Sequence, residues 1–483
     1  MKKMLCVMMA LLMLCGCNTV IGNEDTSSTT AVADNTNYTE GGADASYEIS
    51  GSTYISLGNE DVKINKAGTY ILEGTLNGSV IVEVSDSEDV QLVLNNVTIN
   101  SADFAGIYIV EGDEITITLA EGSVNTISDS SAYTQIDSNE VDALISSKAD
   151  LFINGEGSLV LNSAYNHGIV SKDDLVVTSG NFTIDVAGAG MKGKDCLIIS
   201  DGTYVIRSGK DGLKSDNDED ADRGYITISG GSFEITSAGD GIYGLNAVNI
   251  EGGTFKITTS TSSSDSAKAI KSDLSVTISG GEFTIDSCDD GIHSDQDVLI
   301  KGGNFNIVSD DDAIHGDSKV QIDAGDFTIN AHEGIEATYV LLNGGNIDIT
   351  ATDDGINAGQ KVNTYTATIE INDGAIKIDM GQGDTDAVDS NGYIYINGGT
   401  LEINAQSPFD YDMGAELNGG TVIVNGSEVN SISNQMMGGF GGMGIHQMPG
   451  GMNQENNEYN EGPGYQEGQS GSYGPFGGKP GRH

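Results

Sequence analysis

Two heptapeptides, D-D-G-I-H-S-D at 289–295 and D-D-A-I-H-G-D at 311–317, repeat 22 residues apart. Brought together, clusters of like charge repel unless a cation lies between them. The pattern admits two readings: a metal held by stacked carboxylates, or Asp-Gly punctuation of turns chosen for backbone reasons.

Aligning the chain on the Ile of this motif extends it into columns. Two positions before the Ile stand Asp142, His167, Ala189, Asp211, Asp240, Lys268, Asp290, Asp312, Glu333, Asp354 and Asp386. Asp289, Asp311 and Asp353 double the charge at three of these. The column contains no Asn, which would serve a turn equally well without charge. That bias favours Ca2+, which takes six to eight oxygens from carboxylates and turn carbonyls. Two further stretches are candidates for the same ion. S-D-N-D-E-D-A-D-R-G at 215–224 alternates Asp216, Asp218, Asp220 and Asp222 like the opening of an EF-hand. Ala221 replaces the EF-hand Gly and Thr227 its bidentate Glu, so the stretch is read as an inserted calcium loop of another kind. G-D-T-D-A-V-D-S-N-G at 383–392 offers Asp384, Asp386 and Asp389 in similar style.

One residue after the Ile, the column reads Lys192, Lys214, Tyr243, Lys271, His293, His315, Glu336, Asn357 and Asp389, a polar stripe expected to point outward. For His293 and His315 three readings stand: solvated strand residues, contacts for sugar hydroxyls, or transition-metal ligands, the last without a Cys or third His to complete a zinc set. A lysine beside a bound cation has its pKa lowered, so Lys214 or Lys271 could serve as a general base. No nucleophile elbow, zincin motif or phosphate loop is present.

The elements that must position these columns are short strands. G-G-x-F-x-I recurs at 230–235, 252–257, 280–285 and 302–307, with variants at 344–349 and 398–403. Each unit holds three period-2 runs separated by Gly and Asp. This predicts an all-β, single-stranded, right-handed parallel β-helix over 137–430, with about twelve coils stacked about 4.8 Å apart. One apolar column is Leu144, Ile169, Met191, Leu213, Ile242, Ile270, Ile292, Ile314, Ile335, Ile356 and Val388. A second is Phe182, Tyr204, Phe233, Phe255, Phe283, Phe305 and Phe327. Residues 49–136 alternate less regularly and are read as a β cap over the first coil.

The ends are of another kind. Residues 1–17 have a basic start, an apolar run and L-C-G-C, the pattern of a lipoprotein signal peptide lipidated at Cys17, which places the chain outside the cytoplasmic membrane, at the cell surface. Residues 18–48 read as a disordered polar spacer and 431–483 as a flexible Gly/Met/Gln-rich tail. With 72 Asp and Glu against 21 Lys and Arg, the net charge of −51 disfavours nucleic acid as a partner. Beyond Cys17 the mature chain keeps Cys196 and Cys288, which indicate no disulfide framework.

The stretches AGTYILEGTLNGSVIVE (67–83), DLFINGEGSLVLN (150–162), KDGLKSDNDEDADRGYITISGGSFEI (210–235) and GDTDAVDSNGYIYINGGT (383–400) resemble a bacterial carbohydrate-binding family of calcium-containing parallel β-helices, similar in fold to pectate lyases that use a lysine base. The resemblance spans about 49–426. It implies polysaccharide binding, with calcium in turns between coils at Asp289 with Asp290, Asp311 with Asp312, and Asp353 with Asp354. The lyase pattern asks for a third acid three residues after each pair. His293, His315 and Asn357 stand there instead, and only Asp386 has its later acid, Asp389. The leading expectation is thus a non-catalytic surface lipoprotein that binds plant or cell-wall glycan, pectin-like glycan included, through Tyr243, Lys271, His293, His315 and Glu336. Its rivals are a calcium-dependent lyase with Lys271 or Lys214 as base, and an adhesin or spacer without a glycan ligand.

Overall fold

Period-2 runs of three to six residues are too short to stand alone, and each gains its hydrogen bonds only from the copy one coil away. The computed structural model describes residues 45–259, 266–381 and 385–434. Cys17, Asp384, the expected signal peptide, nearly all of the spacer and the tail from residue 435 lie outside the described residues.

The strands form three parallel ladders. In a typical coil a three-residue strand, Ile292–Ser294, is followed by Asp297–Ile300 and then Asn304–Ser309. Each pairs in parallel with its counterparts in the coils on either side. Burial alternates strictly in the third strand, so one row of side chains faces the interior and the other faces water. The result is the expected parallel β-helix.

The interior columns explain the repeat. Ile169, Met191, Leu213, Ile242, Ile270, Ile292, Ile314, Ile335, Ile356 and Val388 are consecutive register partners and fully buried. From Phe182 to Phe327 the aromatic rings stack 4.6 to 4.9 Å apart and within 4° of parallel. The G-G before each Phe has a steric reason. Gly281 has φ +120°, and a Cβ there would lie 3.0 Å from both the Gly253 carbonyl oxygen and the Phe283 ring.

Two expectations need correction. Ile145, not Leu144, stands opposite Ile169, which makes Ala143 rather than Asp142 the register partner of His167. Ala143–Ser147 is buried at every position, so the alternation that would have fixed its register is absent. Residues 49–136 are not a separate cap: Thr53, Tyr70, Leu92, Ile117 and Ile153 are successive partners in one parallel ladder. The intervals between them, 17, 22, 25 and 36 residues, hide the repeat. At the other end, Ser427–Val429 folds back antiparallel onto Thr421–Val424 through Asn425 and Gly426, both at positive φ. This primed hairpin blunts the last strand edge.

Candidate functional site

The middle residue of each three-residue strand points away from the core, so the polar stripe is real: Lys192, Lys214, Tyr243, Lys271, His293, His315, Glu336, Asn357 and Asp389 are consecutive register partners. At one coil spacing, however, neighbours touch, and the stripe satisfies itself. Lys214 pairs with Asp211 at 2.8 Å, and Lys192 with Asp216 at 2.8 Å. Tyr243 lies between two ammonium groups, Lys214 at 5.0 Å and Lys271 at 5.3 Å from its ring. His293 contacts Asp290 at 2.6 Å and Asp295 at 2.8 Å, and stacks on His315 at 4.7 Å. His315 is buried, only 7% exposed, against Asp312, Asp317 and Glu336, which corrects its reading as a solvated outward residue. Glu336 continues to Lys361 at 2.8 Å and to Asn357 at 3.3 Å.

The acidic column has a structural task that its sequence did not disclose. Asp211 accepts the backbone N–H of Asp240, Asp240 that of Lys268, Asp290 that of Asp312, and Asp354 that of Asp386, at 2.8 to 3.2 Å. Each side chain therefore pins the same position one coil on. In the central coils the chain also supplies its own cations. Lys268, 8% exposed, places Nζ 2.6 Å from Asp289 and 3.4 Å from Asp290. Burial raises the pKa of Asp290, but the His293 hydrogen bond and the Lys268 charge outweigh it and hold the group below the ordinary carboxylate range. Asp311, by contrast, is exposed.

The alternating loop does not assemble as an EF-hand-like calcium shell. Asp218 and Asp220 are exposed and Asp216 is taken by lysine. Buried Asn217 organises the turn, accepting the N–H groups of Glu219 and Asp220. Residues 216–224 form a turning loop rather than a strand, so the i, i+2 spacing does not bring these carboxylates onto one face.

Further along, carboxylates accumulate without a cationic partner among the described residues. Asp354 and Asp389 form no ion pair with described residues, and Asp410, the register partner of Asp389, buries Oδ1 without a hydrogen bond. Burial, then repulsion from Asp389 and Glu333, pushes Asp354 up to about 8. Burial, then Asp410 and Asp386, pushes Asp389 up to about 6. Oxygen donors alone, crowded and short of positive charge, suit a hard cation. Glu333 and Asp353 lie nearby, clustered with His332.

A site missed in the sequence lies on the outer face of the aromatic ladder. Thr284, Asn306, Thr328, Asp348 and Lys377 form one outward column, flanked by Glu282, Asn304, Asp326 and Asn346. Together they line an open groove of about 620 Å³. Thr284, Asn306 and Thr328 are exposed and make no side-chain hydrogen bond to described residues. The signal was present one position after each Phe: small neutral side chains at 284, 306 and 328 between the charged pair Glu234 and Lys256 and the pair Asp348 and Lys377.

Chemically, Lys214 is a poor base and the groove a good acceptor of hydroxyls. Burial lowers the pKa of Lys214, but Asp211 and Asp216 outweigh it and raise the net value, the reverse of what a general base needs. The groove's hydroxyls and amides can both donate and accept. A pH effect follows from Asp240, which burial pushes up to about 6. A carboxyl with a raised folded pKa contributes stability below its unfolded value, and that stability is lost as pH rises through about 6. Asp240→Asn keeps the acceptor for Lys268 N–H, so it should gain on the wild type by on the order of 2 kcal/mol between pH 4 and 7. Urea unfolding at several pH values measures this, and parallel wild-type and variant curves would refute it.

Comparison with known proteins bears on the same residues. The profile of the family "Carbohydrate-binding domain-containing protein" matches residues 58–313 and 297–431. A carbohydrate-binding domain-containing protein of Acetivibrio thermocellus is 35% identical over 133 residues, covering 27% of this chain and 46% of that protein. The chain thus matches less than half the length of this relative. A solved structure, the polysaccharide lyase-like protein from C. thermocellum in its gadolinium derivative, is 30% identical with a TM-score of 0.43, covering 47% of this chain and 96% of that one. With the family profile matched across more than half of its length, the chain belongs to the carbohydrate-binding domain-containing protein family.

Proposed function

We propose that the protein is a surface lipoprotein, anchored through Cys17 outside the cytoplasmic membrane, that binds polysaccharide in the groove over the aromatic ladder. The observation that carries this reading is the contrast between the two outer faces. The stripe from Lys192 to Asn357 uses its polar atoms on itself, whereas Thr284, Asn306 and Thr328 keep theirs for a ligand. The coil spacing of about 4.8 Å is close to the length of one sugar unit, so successive coils present donors at the repeat of an extended glycan. Hydrogen bonds dominate here, since the chain has no tryptophan and the ladder rings beneath the groove are buried.

Affinity electrophoresis in gels containing neutral β-glucan, xylan or polygalacturonate tests the groove. An Asn306→Ala, Thr328→Ala double variant should bind roughly tenfold more weakly, two lost hydrogen bonds being worth about 1.4 kcal/mol. Retardation equal to wild type would count against this face.

In the same proposal Ca2+ sits at Asp354, Asp386 and Asp389, where the described residues supply no ion-pair partner to Asp354 or Asp389 and no hydrogen bond to Asp410 Oδ1. Bound there, the ion would neutralise stacked carboxylates and could bridge to a uronate. CaCl2 at about a hundred times Kd should stabilise the fold by about 2.7 kcal/mol, and Asp389→Asn should abolish that gain. A melting temperature indifferent to CaCl2 and EDTA would remove calcium from the account.

A further inference from the structure

His315 turns its two ring nitrogens to different partners. Nε2 lies 3.2 Å from Asp317 Oδ1, while Nδ1 lies 2.5 Å from Asp312 Oδ2 and 3.1 Å from Glu336 Oε2. With Nε2–H donated to Asp317, the neutral imidazole carries its lone pair on Nδ1. One nitrogen and two carboxyl oxygens then meet with no N–H among them. Protonating Nδ1 supplies a single N–H, which can point at one oxygen and leaves the other facing it. The side chains of His315, Asp312 and Glu336 are only 9%, 6% and 12% exposed, so water does little to relieve the contact.

The charges point the same way. Asp312, Asp317 and Glu336 bring three negative charges, and Lys361, 2.8 Å from Glu336 Oε2, returns one positive. With His315 neutral two remain; a proton on its ring balances one, and a divalent ion in place of that proton balances both. We infer that Asp312, His315 and Glu336 form a site for a divalent first-row transition metal such as Zn2+, bound through His315 Nδ1 and one oxygen of each carboxylate. Three protein ligands of imidazole and carboxylate type, with a position left open, suit that ion. Asp317 is the positioning residue: a carboxylate on the far ring nitrogen fixes the tautomer and the ring, as metal-bound histidines commonly require. His293, stacked beneath at 4.7 Å, repeats the arrangement with Asp290 and Asp295 and closes the site from that side. The imidazole distinguishes this site from the all-oxygen group at Asp354 and Asp389, which suits calcium.

Titration calorimetry of the full chain with ZnCl2 in excess CaCl2, together with visible absorption on adding CoCl2, tests the site. The wild type should bind Zn2+ and show Co2+ d–d bands. Asp317→Asn, whose 41% exposed side chain can change without disturbing the fold, should weaken Zn2+ binding about ten- to a hundredfold. His315→Asn should lose the d–d bands. Absence of d–d bands in the wild type, or Zn2+ affinity unchanged in both Asp317→Asn and Glu336→Gln, would overturn the assignment.

Discussion

Phe255→Ala should destabilise the protein by about 4 kcal/mol, among the largest costs of any single truncation in the helix. Phe255 is 1% exposed, with Phe233 and Phe283 each 4.8 Å away and nearly parallel. Removing the ring forfeits its transfer free energy, leaves a cavity that rigid coils above and below cannot close, and breaks two aromatic contacts worth about 0.5–1.5 kcal/mol each. Because each coil contacts only its neighbours, the damage should centre on the coils carrying residues 233 to 283. Urea unfolding gives the magnitude, and limited proteolysis should place the new cut sites there. Phe255→Leu, which retains most of the volume, should cost clearly less. A Phe255→Ala loss below about 1 kcal/mol would show that the stack is not the core it resembles.

The second large effect comes from charge. Lys268→Met should cost about 3 kcal/mol at neutral pH, because it leaves Asp290, 4% exposed, and its neighbour Asp289 without their ammonium group. The loss should shrink as pH falls and the carboxylates protonate. Adding Asp289→Asn should restore part of it, and the double-mutant cycle measures the coupling. If Lys268→Met is neutral at pH 7, another cation holds these carboxylates, and the chain's own lysine is not what balances them.

How much of this could be read from the amino acids depends on which physics fixes each feature. The Ile and Phe columns were legible because a one-residue slip would turn every buried side chain to water, so hydrophobic alternation encodes register directly. Register failed at Leu144 and Ile145, where both residues are buried and alternation carries no information. The first coils were misread as a cap because their lengths vary while their interior alternation does not. Site residues were harder. The stripe Lys214, Tyr243, Lys271, His293, His315 was found by counting, but not that its members pair with one another, since that depends on rotamers and on distances across coils. The acidic column reads as metal chemistry, and four of its members also hold the next coil's amide, a bond that no single repeat contains. The groove at Thr284, Asn306 and Thr328 is hidden in the sequence because small neutral residues announce no chemistry. What matters there is that nothing else in the fold uses them.

The claim on which the functional account rests is that glycan lies over the aromatic ladder rather than on the charged stripe. A crystal structure of the protein soaked with oligosaccharides of the polysaccharide that retards it most in affinity gels tests this directly. Sugar density following Thr284, Asn306, Thr328 and Asp348, one unit per coil, is the predicted result. Density over Tyr243, Lys271 and His293, with the groove empty, would contradict it.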